Sequence, residues 1–212
     1  MTRRQPREGS GLRRRAPKRE PYDRVLIVCE GAKTEPGYFT DLKDHYRLSN
    51  ANIAITPADG SDPLSVVRKA KDMQSAERRQ GEVYDRIYCV FDRDEHTHFE
   101  AASQQLGGAG FHPARSWPCF EVWLLLHFAY TREPFARTGT RTAAQCCVSA
   151  LKAQLPDYRK GGAVFGHLLD RLDQAKQHAR QARQDARRTG EDNPSTEVHD
   201  LVHYLQHLKD PA

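Results

Sequence analysis

The chain has 212 residues, of which 38% are hydrophobic and 29% charged, with a formal net charge of +5. That length buries one substantial core with a smaller appendage, and no stretch approaches the ~20 apolar residues of a membrane span. Its basicity sits in the first twenty residues, where Arg3, Arg4, Arg7, Arg13, Arg14, Arg15, Lys18 and Arg19 face only Glu8 and Glu20, so the remainder is close to neutral.

Residues 1–21 therefore read as a basic tail, disordered in isolation, suited to phosphate-backbone contact or simply to solvation. No apolar segment follows it, so a secretory signal is not expected and the protein is expected to be soluble and cytoplasmic. After the tail, residues 24–29 form an apolar β-branched run that reads as a buried parallel strand. It ends in Glu30-Gly31, and a helix is predicted from Thr34 or Glu35, turning Tyr38, Phe39, Leu42 and Tyr46 to the core. Residues 52–56 alternate as a second strand. Asp62-Pro63 then supplies an N-cap and a proline at the first helical position for a helix to about Arg79.

Residues 85–91 form the third strand, and Asp92-Arg-Asp94 follows it directly. A helix is predicted over 95–106, a glycine-rich break at 107–110, a short strand over 111–116 and a compact apolar helix over 119–128. This βαβαβαβα order calls for a mostly parallel sheet flanked by helices, an α/β core over 22–135. Helical patterns over 140–155, 166–188 and 195–208 make residues 136–212 a helical extension packed on that core, with Ser195 as the N-cap of the last helix.

In an open parallel sheet, ligands bind beyond the carboxyl ends of the strands. Strand one ends at Glu30 and strand three at Asp92, with Asp94 on the same side if the chain stays extended. Three converging carboxylates repel unless a divalent cation lies among them, and all-oxygen donors suit Mg²⁺ or Mn²⁺. Asp94 has a second reading, as a cap on the following helix. Glu121 lies among Phe120, Trp123, Leu124, Leu125 and Phe128, where a charge needs pairing, a ligand or a proton. It reads as a general base or metal ligand, with stabilisation at a helix N-terminus as the rival. Lys33 is placed to hold a phosphate or to be a solvated loop lysine. Glu35 reads as a second acid or a first-turn residue, His96 as a proton-transfer group or an exposed helix histidine, and Lys160 as a weaker candidate. The five cysteines form no C-x-x-C pair and read as buried thiols. No G-x-x-x-x-G-K-[ST] occurs, so any ATP hydrolysis belongs to a partner.

Four ordered segments carry a resemblance. Glu30-Gly31-Ala-Lys33-Thr34-Glu35-Pro36-Gly-Tyr38-Phe39, Phe91-Asp92-Arg93-Asp94-Glu95-His96, Trp117-Pro118-Cys119-Phe120-Glu121 through His127-Phe128, and Asn193-Pro194-Ser195-Thr196 resemble the motifs of the RloB-like family over roughly 22–205. Trp117 stands where an asparagine-like residue is commoner. The resemblance implies a Toprim-type fold and a metal-dependent nuclease acting on RNA, tRNA included, or DNA. In that reading Glu30, Asp92 and Asp94 hold the ion, and Glu30, Lys33 and Glu121 are catalytic. It further implies an antiphage defence effector, often paired with an ATPase subunit. A different class is a non-catalytic subunit that binds nucleic acid or a partner and uses the acidic pocket as a structural ion site.

Overall fold

A computed structural model describes residues 21–93 and 96–210. The basic tail and Asp94, with the roles expected of them, lie outside the described residues. In chain order the elements are β1 (Val25–Cys29), α1 (Thr34–His45), β2 (Ile53–Pro57), α2 (Pro63–Arg79), β3 (Arg86–Asp92), α3 (Phe99–Gly108), β4 (His112–Trp117), α4 (Glu121–Leu125), α5 (Ala143–Gln154), α6 (Phe165–Leu168), a 3-10 turn (Leu169–Arg171), α7 (Leu172–Thr189), β5 (Ser195–Thr196) and α8 (Val198–Gln206). The sheet runs β2-β1-β3-β4-β5. Its first four strands are parallel, and β5 pairs antiparallel with the end of β4.

The residue alternation of the central strands explains the layering. Val25, Ile27 and Cys29 of β1, with Tyr88 and Val90 of β3, enter one core with residues of α1, α4, α5, α7 and α8. Leu26 and Val28, with Ile87, Cys89 and Phe91, enter a second core against Val66, Val67 and Ala70 of α2 and Phe99, Ala102 and Leu106 of α3. Side chains of period two thus give a strand buried on both faces, which is why β1 is apolar without alternation. The result is the expected α/β architecture. Among the described residues no helix is long and apolar enough to cross a membrane. Cys29, Cys89, Cys119 and Cys147 are buried thiols, and Cys146 is partly exposed.

Some elements differ from their sequence reading. The helix expected over 95–106 begins only at Phe99 and runs through Gly107 and Gly108. The chain turns instead at Gly110, whose φ of 71° is the first in this segment to need a glycine. Asp62 stands at the cap position of α2 without a side-chain cap bond; its Oδ1 lies 3.0 Å from His98 Nδ1 instead. Ser195 is no helix cap. It pairs with Trp117 in β5, and the Thr196 hydroxyl accepts the Val198 N–H at 3.2 Å.

The C-terminal segment is locked to the sheet by one charge cluster. Arg115 of β4 donates to both oxygens of Glu197, at 2.7 and 2.6 Å, and Arg183 of α7 donates to the same carboxylate at 3.1 Å. The Glu197 side chain is 9% exposed, and those of Arg115 and Arg183 are 23% and 13%. Removing one partner from such a buried pair leaves uncompensated charge, at a cost of about 3–5 kcal/mol. We therefore expect Glu197→Ala to lose about that much stability in urea unfolding followed by circular dichroism. A loss below about 1 kcal/mol would make the cluster an ordinary surface pair.

Candidate functional site

The register of β1 against β3 places Cys29 beside Val90, so Glu30, just beyond β1, comes level with the last residues of β3. Glu30 N–H donates to Val90 O at 2.9 Å, extending the ladder by one bond. Its carboxylate turns back over the neighbouring strand: Oε2 accepts the Asp92 backbone N–H at 3.0 Å, and Oε1 lies 2.9 Å from His96 Nε2. Glu30 is thereby fixed on both oxygens, with its side chain 8% exposed. Asp92, the last residue of β3, stands next to it.

Two further acids arrive from helices. Glu35 is in the first turn of α1 and buried, so it is both a first-turn residue and a wall of the site. Gly31 makes room for it: a Cβ there would lie 2.2 Å from Glu35 Oε2. Glu121 is the first residue of α4 and is 2% exposed. Its Oε1 accepts a hydrogen bond from the Tyr158 hydroxyl at 2.8 Å and lies 3.6 Å from Lys160 Nζ. Glu30, Glu35, Asp92 and Glu121 line one cavity of about 420 Å³, together with Lys33, His96 and Lys160.

Lys33 is exposed and is positioned by a loop from far along the chain. Gly161, with φ of 79°, brings its backbone so close that a Cβ would lie 2.8 Å from Lys33 Cβ. Its N–H donates to Thr34 Oγ1 at 2.9 Å. The same loop carries Tyr158 and Lys160 to Glu121. Nothing in the sequence marks Tyr158 by itself; its one signal is the spacing Tyr158-Arg-Lys160-Gly161 beside the weak candidate Lys160. His96 precedes α3 rather than lying on it, which is what lets it reach Glu30.

The electrostatics follow from crowding acids. Burial, then the neighbouring Glu35, Glu121 and Glu30, push the Asp92 carboxyl well above the usual carboxylate range, against a smaller lowering from the Phe120 backbone. Glu35 is also pushed up, first by burial and then by Glu121 and Glu30, while its own backbone bond and Lys160 oppose the rise. Burial works against a charge on Lys160, but Glu121 and the other acids outweigh it and raise its pKa. Among the described residues no three His, Cys, Asp or Glu side chains are already gathered as a metal-ligand set. The donors available are nevertheless all hard carboxylate oxygens, the chemistry that fits Mg²⁺ or Mn²⁺.

Carboxyls raised in the folded state bind protons that the unfolded chain has released. Their contribution to stability is complete below the unfolded value of about 4 and is lost as the pH rises through the folded one. Asp92→Asn cannot ionise and escapes that loss. With chelator present, the variant should melt about 2–4 °C above the wild type at about pH 8, and the gap should close towards about pH 4. A variant less stable than the wild type at the higher pH would contradict this electrostatic reading.

No curated protein matches the chain. A family model described as RloB-like protein matches residues 25–205, a span that takes in all four acids of the cavity. The chain belongs to the RloB-like family.

Proposed function

We propose that the chain is a metal-dependent nuclease, hydrolysing phosphodiester bonds of RNA or DNA at the carboxyl ends of β1 and β3. The observation that carries this reading is the convergence of Glu30, Glu35, Asp92 and Glu121 on one cavity edged by Lys33 and Lys160. Acids packed so that Asp92 resists ionisation form a site whose charge a divalent cation would balance.

Glu30 and Asp92 would hold Mg²⁺ or Mn²⁺, with Asp94 as a third ligand from outside the described residues. Such an ion, once bound, would supply Lewis-acid polarisation of a phosphoryl oxygen and charge to offset that of the displacement. Lys33 and Lys160, on flexible stems at the rim, hold the scissile phosphate as point charges. Glu121, with Tyr158 donating to one oxygen, takes the proton of the attacking water through the other. His96 orients Glu30 and shuttles protons at its far side. The Toprim-type resemblance of the strand-end Glu and the D-x-D supports the same roles. It also supports a place in antiphage defence beside an ATPase partner subunit.

Purified protein incubated with RNA and with DNA in Mg²⁺ or Mn²⁺ should cleave at least one of them. Glu30→Gln and Asp92→Asn should each lower the rate about 100-fold or more. Mn²⁺ should also raise the melting temperature of the wild type and leave that of Asp92→Asn unchanged. Cleavage that persists in both variants would remove the assigned site. Mn²⁺ binding without cleavage of either nucleic acid would favour the non-catalytic binding subunit.

A further inference from the structure

At the opposite ends of the same strands lies a cleft of the other sign. β5 pairs only with Ser116 and Trp117, so among the described residues the leading half of β4 has no strand partner on that side. A sheet edge left open in this way is normally covered, and here α7 and α8 flank a cavity of about 650 Å³ instead. Arg86, the first residue of β3, stands on one side. Arg180, Arg183 and Arg187 come from α7, where spacings of three and four put them on one face. Glu197 and Asp200 are the carboxylates of this lining, and both are engaged. Glu197 accepts from Arg115 and Arg183, and Asp200 lies 3.4 Å from His199 Nε2.

The cationic side is in surplus. Arg180 and Arg187 are exposed, and their side chains make no ion pair or hydrogen bond among the described residues. Arg86 lies 3.7 Å from Asp23 and over the Tyr204 ring at 4.3 Å, which holds its guanidinium at the mouth. The histidines feel this field. His112 is held below its usual pKa by burial and by Arg86. His203 is lowered by burial, then by His207 and Arg180. An anion entering the cleft would offset the charge of the unpaired arginines. Guanidinium groups recognise phosphate oxygens with paired donors, and Arg180 and Arg187, seven residues apart on a helix, are separated by about 10 Å along its axis. That row spans more than one phosphate.

We propose that the cleft between α7, α8 and the leading ends of β3 and β4 is a second binding site, for a ligand carrying two or more phosphate groups. Arg86, Arg180 and Arg187 make the direct contacts, and Arg183 is held in place by Glu197. The ligand is either the polyphosphate of a nucleotide or the backbone of a nucleic-acid strand. The site stands independently of the acidic cavity, from which it is separated by the length of β3, about 20 Å at the usual rise per residue.

The test uses the full chain with two probes, ATP and a fluorescein-labelled single-stranded oligonucleotide, at several salt concentrations. Arg180 and Arg187 are exposed, so Arg180→Ser/Arg187→Ser and the charge-reversed Arg180→Glu/Arg187→Glu keep the fold. For the oligonucleotide, the serine pair should reduce the slope of log affinity against log salt by about two, with a larger loss in the glutamate pair. For ATP, both pairs should weaken binding by at least about 10-fold. The imidazole resonances of His112 and His203 should shift on saturation, which locates the ligand in the cleft and not on the basic N-terminal residues. Competition of ATP with the strand identifies a nucleotide pocket, and binding of the strand alone identifies a backbone track. Affinity and slope unchanged in both double variants, or saturable binding that leaves both histidines unmoved, would overturn the proposal.

Discussion

The constraint on which this molecule turns is the adjacency of β1 and β3 in a parallel sheet. Glu30 follows β1 directly and Asp92 ends β3, and parallel pairing delivers both carboxylates to the same edge. Like charges at such range cannot all ionise without compensation. The surroundings of Glu30 and Asp92 read as responses to that fact. A backbone N–H and an imidazole satisfy Glu30. A glycine lets Glu35 fold over the turn. A tyrosine and a lysine from residues 158–160 meet Glu121. What is left under-compensated is Asp92, and that residue is where a cation would gain most.

The sheet also separates charge along its length. The carboxyl ends gather acids, while the leading ends of β3 and β4 gather arginines and histidines. The C-terminal third supplies parts of both. Lys160 lines the acidic cavity and Tyr158 bonds its Glu121, α7 and α8 flank the basic cleft, and Glu197 ties that third to β4. The residues beyond 136 are thus structurally continuous with both sites.

Much of this was legible in the sequence because the signals were local. An unbroken Val-Leu-Ile-Val-Cys run can be buried on both faces only in an inner strand, and Asp62-Pro63 marks the start of α2 whatever its side chain bonds to. Glu121 stood out as a charge among aromatic and aliphatic neighbours, and it is buried at the cavity. What escaped had no periodicity to read. β5 is two residues long, so Ser195 reads as a helix cap in the sequence, although the strand partners of Ser195 and Thr196 lie some eighty residues earlier. Tyr158 sits in a loop, and its relation to Glu121 exists only in three dimensions. Arg180, Arg183 and Arg187 lie in a segment whose sequence shows only a charged helix, and their place beside β4 exists only in the fold.

We propose that the crowded acids form a cation site in which burial and the neighbouring carboxylates favour a proton on Asp92 until a cation displaces it. Calorimetric titration with Mn²⁺ near neutral pH, repeated in buffers of different ionisation enthalpy, measures binding and proton release together. We expect the wild type to bind Mn²⁺ with release of protons, and Asp92→Asn to lose both most of the affinity and the release. Absence of Mn²⁺ binding in the wild type, or binding with no proton released, would contradict it.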